Sequence, residues 1–519
     1  MNPETMSVQT LRRLLASKTE LAIIDVREVV EADRGHIPDM TNVPRNRIEF
    51  RFPELVRDPS TPVVVYCDGE SGRSPLAAQT LIRHGYRNVA VLEGGLRAWE
   101  KSGGSVATGN NVPSKAFGER IHHDQAVPRI SPGELDAIMK TGKRIAIRDV
   151  RTPEEHAEAC IPGGRSLPGF EFVLHAFDLM RDHDLIVLHC AGRTRGIIAV
   201  QTLRELGAKH VVALENGTIG WLLEGLSLAY GESADVEPAS PESIEFAEVK
   251  ARKLAAAEGI SITECGELQE LLDRTEENHY VFDVRGIHDF VQGHIKGSIG
   301  LPGGQAVQRM DDFIALRQAP IVLVAEGEAA SCITAVWLKR MGCGNVSVLR
   351  GGLKAWRREG RSLSTGKDRA TPLGWDQIRA ATQMITAAEL SARLAAGMKT
   401  RVLNVDYSMR YRQGHVPGAD WLPRSWLEQR VRQQIPDTDS AIVCESVDGR
   451  QACYAAASLA ALGYSDVRVL EAGTRGWRAA GFPLERSELG QQDDVLPPPY
   501  KLGERAMREY IDWEKRLTA

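Results

Sequence analysis

The residues best suited to chemistry are Cys190, Arg193 and Arg195, in the run Leu185-Ile-Val-Leu-His-Cys-Ala-Gly-Arg-Thr-Arg-Gly196. The apolar stretch Leu185 to Leu188 has strand length and stops at Cys190, and Ile197, Ile198, Val200, Leu203 and Leu206 then recur at helical spacing before Gly207. The pattern predicts strand, short loop, helix, with the cysteine at the strand's carboxyl end, where open α/β sheets bind ligands. Such a loop aims several backbone N–H groups at one point, and the helix dipole adds positive charge there. Arg193 and Arg195 add two full charges. A thiol in that setting is expected to have a depressed pKa and to stand open to solvent as a thiolate, which makes Cys190 a candidate nucleophile toward a small anion. A buried structural cysteine, the ordinary alternative, requires neither the glycine nor the arginines.

The elements that must position this loop recur along the chain. Ile23-Ile-Asp-Val-Arg27, Ile147-Arg-Asp-Val-Arg151, Val281-Phe-Asp-Val-Arg285 and Val402-Leu-Asn-Val-Asp406 are four apolar strands with acidic ends. A turn follows each, at Gly35-His-Ile-Pro38, Ala159-Cys-Ile-Pro162, Gly293-His-Ile-Lys296 and Gly414-His-Val-Pro417. Each unit closes on a strand and turn ending in Trp99, Trp221, Trp356 or Trp477, tryptophans expected to pack back on the sheet. Four copies of one module are therefore expected, at 1–108, 126–232, 258–366 and 384–487, followed by a helical tail at 488–519. Alternating strands and helices predict an α/β fold, each module a parallel sheet with helices on both faces. Linkers rich in Gly, Ser, Pro and charge are expected at 105–128, 230–258, 365–383 and 486–500, with His122 and His123 as loop residues. In the tail, Leu502, Ala506, Tyr510 and Trp513 share a helical face that could dock on a module or bind a partner.

Composition narrows the function classes. With 519 residues, 43% hydrophobic and 26% charged, the chain reads as an ordinary globular protein of several domains. A net charge of −5 without a basic stripe argues against nucleic-acid binding. No apolar run is long enough for a membrane span, and the first residues lack a secretory signal. Eight cysteines, none paired at CxxC spacing, fit neither a disulfide framework nor a zinc ribbon, so a reducing cytoplasm is expected, with no metal or cofactor.

Together the Asp-Val-Arg strand, the Gly-His-Ile-Pro turn, the strand-Cys-loop-helix element and the Gly-Gly-x-x-x-Trp ending resemble a tandem array of rhodanese domains. The resemblance implies a thiosulfate sulfurtransferase that carries sulfane sulfur as a cysteine persulfide. It assigns Cys190 as nucleophile and Arg195 beside it, with Ala191, Gly192, Arg193, Thr194 and Gly196 binding the anion. The substrates implied are a small anionic sulfur donor and a cyanide or thiol acceptor, a thiol-carrying protein included. Asp149 is expected to pair with Arg151 or a loop group, and His189 to end the strand.

The other copies differ. In the third, counting back from Gly342 puts Ala325 in place of the cysteine and Ala330 in place of Arg195, with Glu326 and Glu328 added, so that copy is expected to be inactive. In the fourth, counting back from Gly463 puts Ser446 at the cysteine position, while counting forward from Cys444 gives an alternative register; the first is preferred. The first copy has Cys67 with Arg73 six positions later, a Cys-x5-Arg loop resembling those of rhodanese-fold phosphatases and arsenate reductases. Cys67 and Arg73 are therefore a secondary candidate site. A scaffold role for the altered copies is the third reading.

Overall fold

Short β-branched and leucine-rich runs set the frame, because strands buried on both faces need apolar residues at every position. In the second module, Ile145–Asp149, Leu185–His189 and Val211–Leu214 pair in parallel, flanked by Arg129–Ile130 and Arg165–Ser166. The strands lie in the order first, fifth, fourth, second, third, and the same five-stranded order occurs four times along the chain. The computed structural model describes residues 3–17, 20–232, 238–367 and 370–517. These form two compact units, one of residues 1–110 with 370–496, the other of 111–369 with 497–519.

Each of the module-ending tryptophans, Trp99, Trp221, Trp356 and Trp477, packs as expected, and its indole N–H has a backbone partner. Trp221 lies with Ile130, Leu135, Ile147, Ile161, Val187 and Leu214 and donates to the Ser227 carbonyl at 2.9 Å. Among the described residues no helix is long and apolar enough to cross a membrane.

Three expected linkers contain helices: Val112–Asp124, Pro241–Ala257 and Trp375–Ala381. His122 and His123 thus sit in a last helical turn and not in a loop. The Pro and Ser residues that read as linker punctuation are helix starts: Pro113 and Pro241 occupy the first turn, and Ser240 caps its helix by accepting from the Ser243 N–H. Helix Val112–Asp124 packs on Thr194–Leu206, and helix Pro241–Ala257 packs on Ala329–Arg340. Both helices carry a phenylalanine, a small buried residue and a glutamate in succession, Phe117-Gly-Glu119 and Phe246-Ala-Glu248.

The tail forms the helix Glu504–Arg516, docked in the second unit. Its buried residues are Met507, Ile511 and Glu514, and Met507 and Ile511 meet Ile219. The expected face was displaced: Leu502 is exposed and lies outside the helix, and a carboxylate is the third buried position. Apolar periodicity has no means of picking out an inward-facing glutamate.

Candidate active site

Cys190 follows the strand Leu185–His189, and Thr194 opens the helix that Gly207, at φ 114°, closes. The intervening loop stands on the turn before Trp221. Thr218 N–H donates to the Cys190 carbonyl at 3.0 Å and Ile219 N–H to the Ala191 carbonyl at 2.9 Å. Gly217 makes this possible: it has φ 56°, and a methyl group there would run into the Cys190 carbonyl oxygen. The turn was expected only to bring the tryptophan onto the sheet; it is also the seat of the loop. The signal available was its fixed place, four residues before each tryptophan.

The Arg195 charge and the backbone N–H groups of Gly196 and Gly192 favour the ionised form of the Cys190 sulfur. Ionisation is nevertheless unfavourable. Burial pushes the thiol pKa up, Glu514 adds to the rise, and Arg195 with the two amides only partly offsets them. The depressed pKa and open thiolate expected from sequence are thus corrected: Cys190 is 3% exposed. The covering element is helix Glu504–Arg516. Tyr510 and the Glu514 carboxylate lie directly over Gly192. Thr194 donates to Glu514 Oε1 from its hydroxyl at 2.6 Å and from its N–H at 3.3 Å.

Nor are the two arginines free charges. Arg195 forms a bidentate pair with Glu155, both distances 2.8 Å, and that pairing, against the opposing effect of burial, brings the Glu155 pKa down to about 2. Arg193 donates to Glu119 at 2.5 and 2.7 Å and to Asn216 Oδ1 at 3.0 Å. Glu119, on the helix Val112–Asp124, was not anticipated. Gly196 packs against the strand end, with His189 Cα within 3.4 Å of where its side chain would begin.

Asp149 is fully buried beneath the site. It accepts from Arg151 N–H at 3.0 Å and from Arg151 Nη2 at 2.6 Å, as expected, and also meets His156 Nδ1 at 3.1 Å. Burial alone would raise its pKa; His189, His156 and Arg151 outweigh it and hold the carboxyl well below its ordinary range.

In the other modules the corresponding loops are occupied by carboxylates. In the first, Asp68 accepts from the N–H groups of Glu70 and Ser71 at 3.1 and 2.9 Å, and Arg73 is bound at both ends by Glu31 at 2.6 Å, under the Trp426 ring. Cys67 meets Ser74 Oγ at 3.2 Å and is buried. In the third, Glu248 enters the loop and accepts from Glu328 N–H at 3.0 Å and Ala329 N–H at 3.3 Å. That loop was expected to repel an anion; it holds one supplied by its own chain. In the fourth, Ser446 follows the strand Ala441–Glu445, and its carbonyl accepts from Thr474 N–H as Cys190 does from Thr218. The preferred register is therefore the one observed. Cys444 lies inside the strand, and Asp406 accepts from Val447 N–H at 2.7 Å. Among the described residues no group of three His, Cys, Asp or Glu could hold a metal ion.

Comparison with known proteins then places the chain. A sequence profile of the rhodanese-like domain matches residues 7–102, 131–224, 265–359 and 386–480. The chain belongs to the rhodanese family. Among solved structures, a thiosulfate sulfurtransferase from Pseudomonas aeruginosa is similar over 99% of this chain and 97% of its own, at 34% identity and TM-score 0.92. Among curated rhodanese relatives, a sulfurtransferase of Allochromatium vinosum is 34% identical over 95 residues, 18% of this chain and 86% of that protein. An arsenate reductase of Oryza sativa subsp. japonica is 32% identical over 113 residues, 20% of this chain and 71% of that protein.

Proposed function

We propose that this protein is a rhodanese-type sulfurtransferase in which Cys190 takes sulfane sulfur from thiosulfate and passes it to cyanide or a thiol. The observation that carries the reading is the setting of one sulfur atom: Cys190 has the Gly192 and Gly196 amides and the Arg195 charge around it. The other strand-end thiol among the described residues, Cys67, has its loop amides taken by Asp68 of the same loop, and the third and fourth loops carry Ala325 and Ser446 in place of a thiol.

The chemistry is a double displacement. Cys190 loses its proton to solvent, and the thiolate attacks the outer sulfur of thiosulfate. A new S–S bond forms, the S–S bond of thiosulfate breaks, and its electron pair leaves with sulfite. The loop amides and Arg195 stabilise the charge that moves onto the leaving group. Cyanide or a thiolate then attacks the terminal sulfur of the persulfide, and its S–S electrons return to Cys190. The second candidate, phosphoryl or arsenate chemistry at Cys67, is disfavoured because Asp68 fills the amides that an oxyanion would need and Glu31 holds Arg73.

Thiosulfate treatment should add the mass of one sulfur atom to the wild-type chain. Cys190→Ser should abolish both that adduct and thiosulfate-to-cyanide transfer, while Cys67→Ala keeps both. Transfer that survives Cys190→Ser would refute the assignment.

A further inference from the structure

All four strand-end loops hold a carboxylate against their backbone amides, and the second does so by the most lightly anchored element. Asp68 belongs to the first loop itself, Asp406 follows a central strand, and Glu248 rides on a 17-residue helix with Ser243, Ala247, Ala251 and Ala255 buried. Glu514 rides on a helix whose remaining buried side chains are only Met507 and Ile511. The loop cannot serve a donor in this arrangement. Glu514 is fully buried, and its Oε1 takes the Thr194 N–H, one of the donors the cradle would offer to an oxyanion.

The fit is also incomplete. Glu514 Oε2 is buried with the Tyr510 hydroxyl near it but makes no hydrogen bond of good geometry among the described residues, which costs free energy that an exposed carboxylate would not incur. Tyr510 walls off the same space beside Gly192. An unsatisfied carboxylate aimed into an anion cradle marks a position built for exchange.

We infer that helix Glu504–Arg516 is a lid over Cys190, and that Glu514 is a specificity-determining residue that stands in the cradle as a surrogate for the donor oxyanion. This rests on the reading of Cys190 as the sulfur acceptor. Donor binding and lid release are then one exchange of anions: a dianion with several acceptor oxygens replaces the carboxylate, and the helix undocks from Ile219. A neutral ligand can accept from the Thr194 N–H but brings no negative charge to replace that of the carboxylate beside Arg195 and the loop amides, so the lid selects for oxyanions. By linkage, whatever loosens the helix must tighten donor binding by the same factor.

The test is alkylation of Cys190, followed by peptide mass, with anionic iodoacetate and neutral iodoacetamide; it needs no sulfur transfer. Glu514→Gln should speed the iodoacetate reaction about tenfold, as expected when a competitor that closes most of the population is removed. The iodoacetamide reaction should gain less. Met507→Asp, which undocks the helix without touching the cradle, should speed both reagents. In the wild-type protein, inorganic sulfate should raise hydrogen exchange across residues 504–516. Folded variants that alkylate at the wild-type rate would overturn the lid, as would exchange that ignores sulfate should the variants not fold. Loss of the sulfurtransferase reading would instead show as transfer surviving Cys190→Ser, so the two failures are distinct.

Discussion

Arg195 and Glu155 form a bidentate pair at 2.8 Å, and the same pair recurs in the first module as Arg73 and Glu31 at 2.6 Å. Each glutamate is also the third residue of its helix and closes a capping box, its carboxylate accepting from the N–H of Thr152 or Glu28. One carboxylate thus fixes a helix start and aims an arginine at the cysteine loop, so the arginine's position is set by the second strand and the helix after it.

Arg195 is the largest influence opposing the rise in the Cys190 pKa. Because that pKa lies above the ordinary 9.0, alkylation by iodoacetamide should climb with pH through neutrality without a plateau, about tenfold per unit. Removing the guanidinium in Arg195→Gln leaves less thiolate at any pH below the pKa. The profile should move to higher pH, and the neutral rate should fall about tenfold for each unit moved. Glu155→Gln should move it the other way. Superimposable profiles would remove Arg195 from its role.

The modules, their sheet class and the strand-end position of Cys190 were legible because local signals agreed: period, turn residues and a repeated tryptophan. What was not legible depends on contacts between distant segments. Glu119, Glu514 and Glu248 lie 74, 320 and 80 residues from the loop groups they meet. A glutamate on a helix reads as a solvated charge until the facing surface is known. The expectation of a low thiol pKa failed for the same reason: the loop supplied the amides and Arg195, but the burial that raises the pKa, and the Glu514 carboxylate that adds to it, come with a helix 320 residues along the chain from Thr194.

The third module offers a direct test of the idea that an occupied loop is an inactive one. Ala325 stands where the cysteine would be, and Glu248 holds the amides of Glu328 and Ala329. Ala325→Cys alone should therefore gain no sulfur from thiosulfate by peptide mass. A persulfide at position 325 in that variant would mean that Glu248 does not block the loop.

Beneath the site, Asp149 and Arg151 are both buried and joined at 2.6 Å. Arg151→Met leaves a buried carboxylate without its main partner, a change that costs about 3–5 kcal/mol when such pairs are broken. Asp149 has a folded pKa below its unfolded value, so its contribution is present above the unfolded pKa and lost as pH falls through the folded one. The gap between wild type and Arg151→Met in urea midpoints should be widest near neutrality and shrink in acid. A gap that widens in acid would contradict the pairing.

Gly217 and Gly207 separate collision from backbone strain. Both have positive φ, 56° and 114°, so alanine at either position carries left-handed strain of about 1–2 kcal/mol. Around Gly207 there is nothing within 4 Å, whereas a methyl group at Gly217 meets the Cys190 carbonyl oxygen and the Gly192 carbonyl at 2.8 Å. Gly207→Ala should therefore lower the thermal midpoint and leave transfer nearly intact. Gly217→Ala must push the loop off its seat, and a displacement of about 1 Å in a catalytic group can cost on the order of a hundredfold in rate. Steady-state transfer measured on both variants, with circular dichroism to establish folding, checks the contrast. Equal losses would show that strain in the backbone, and not the support given to the Cys190 carbonyl, is what the second glycine provides.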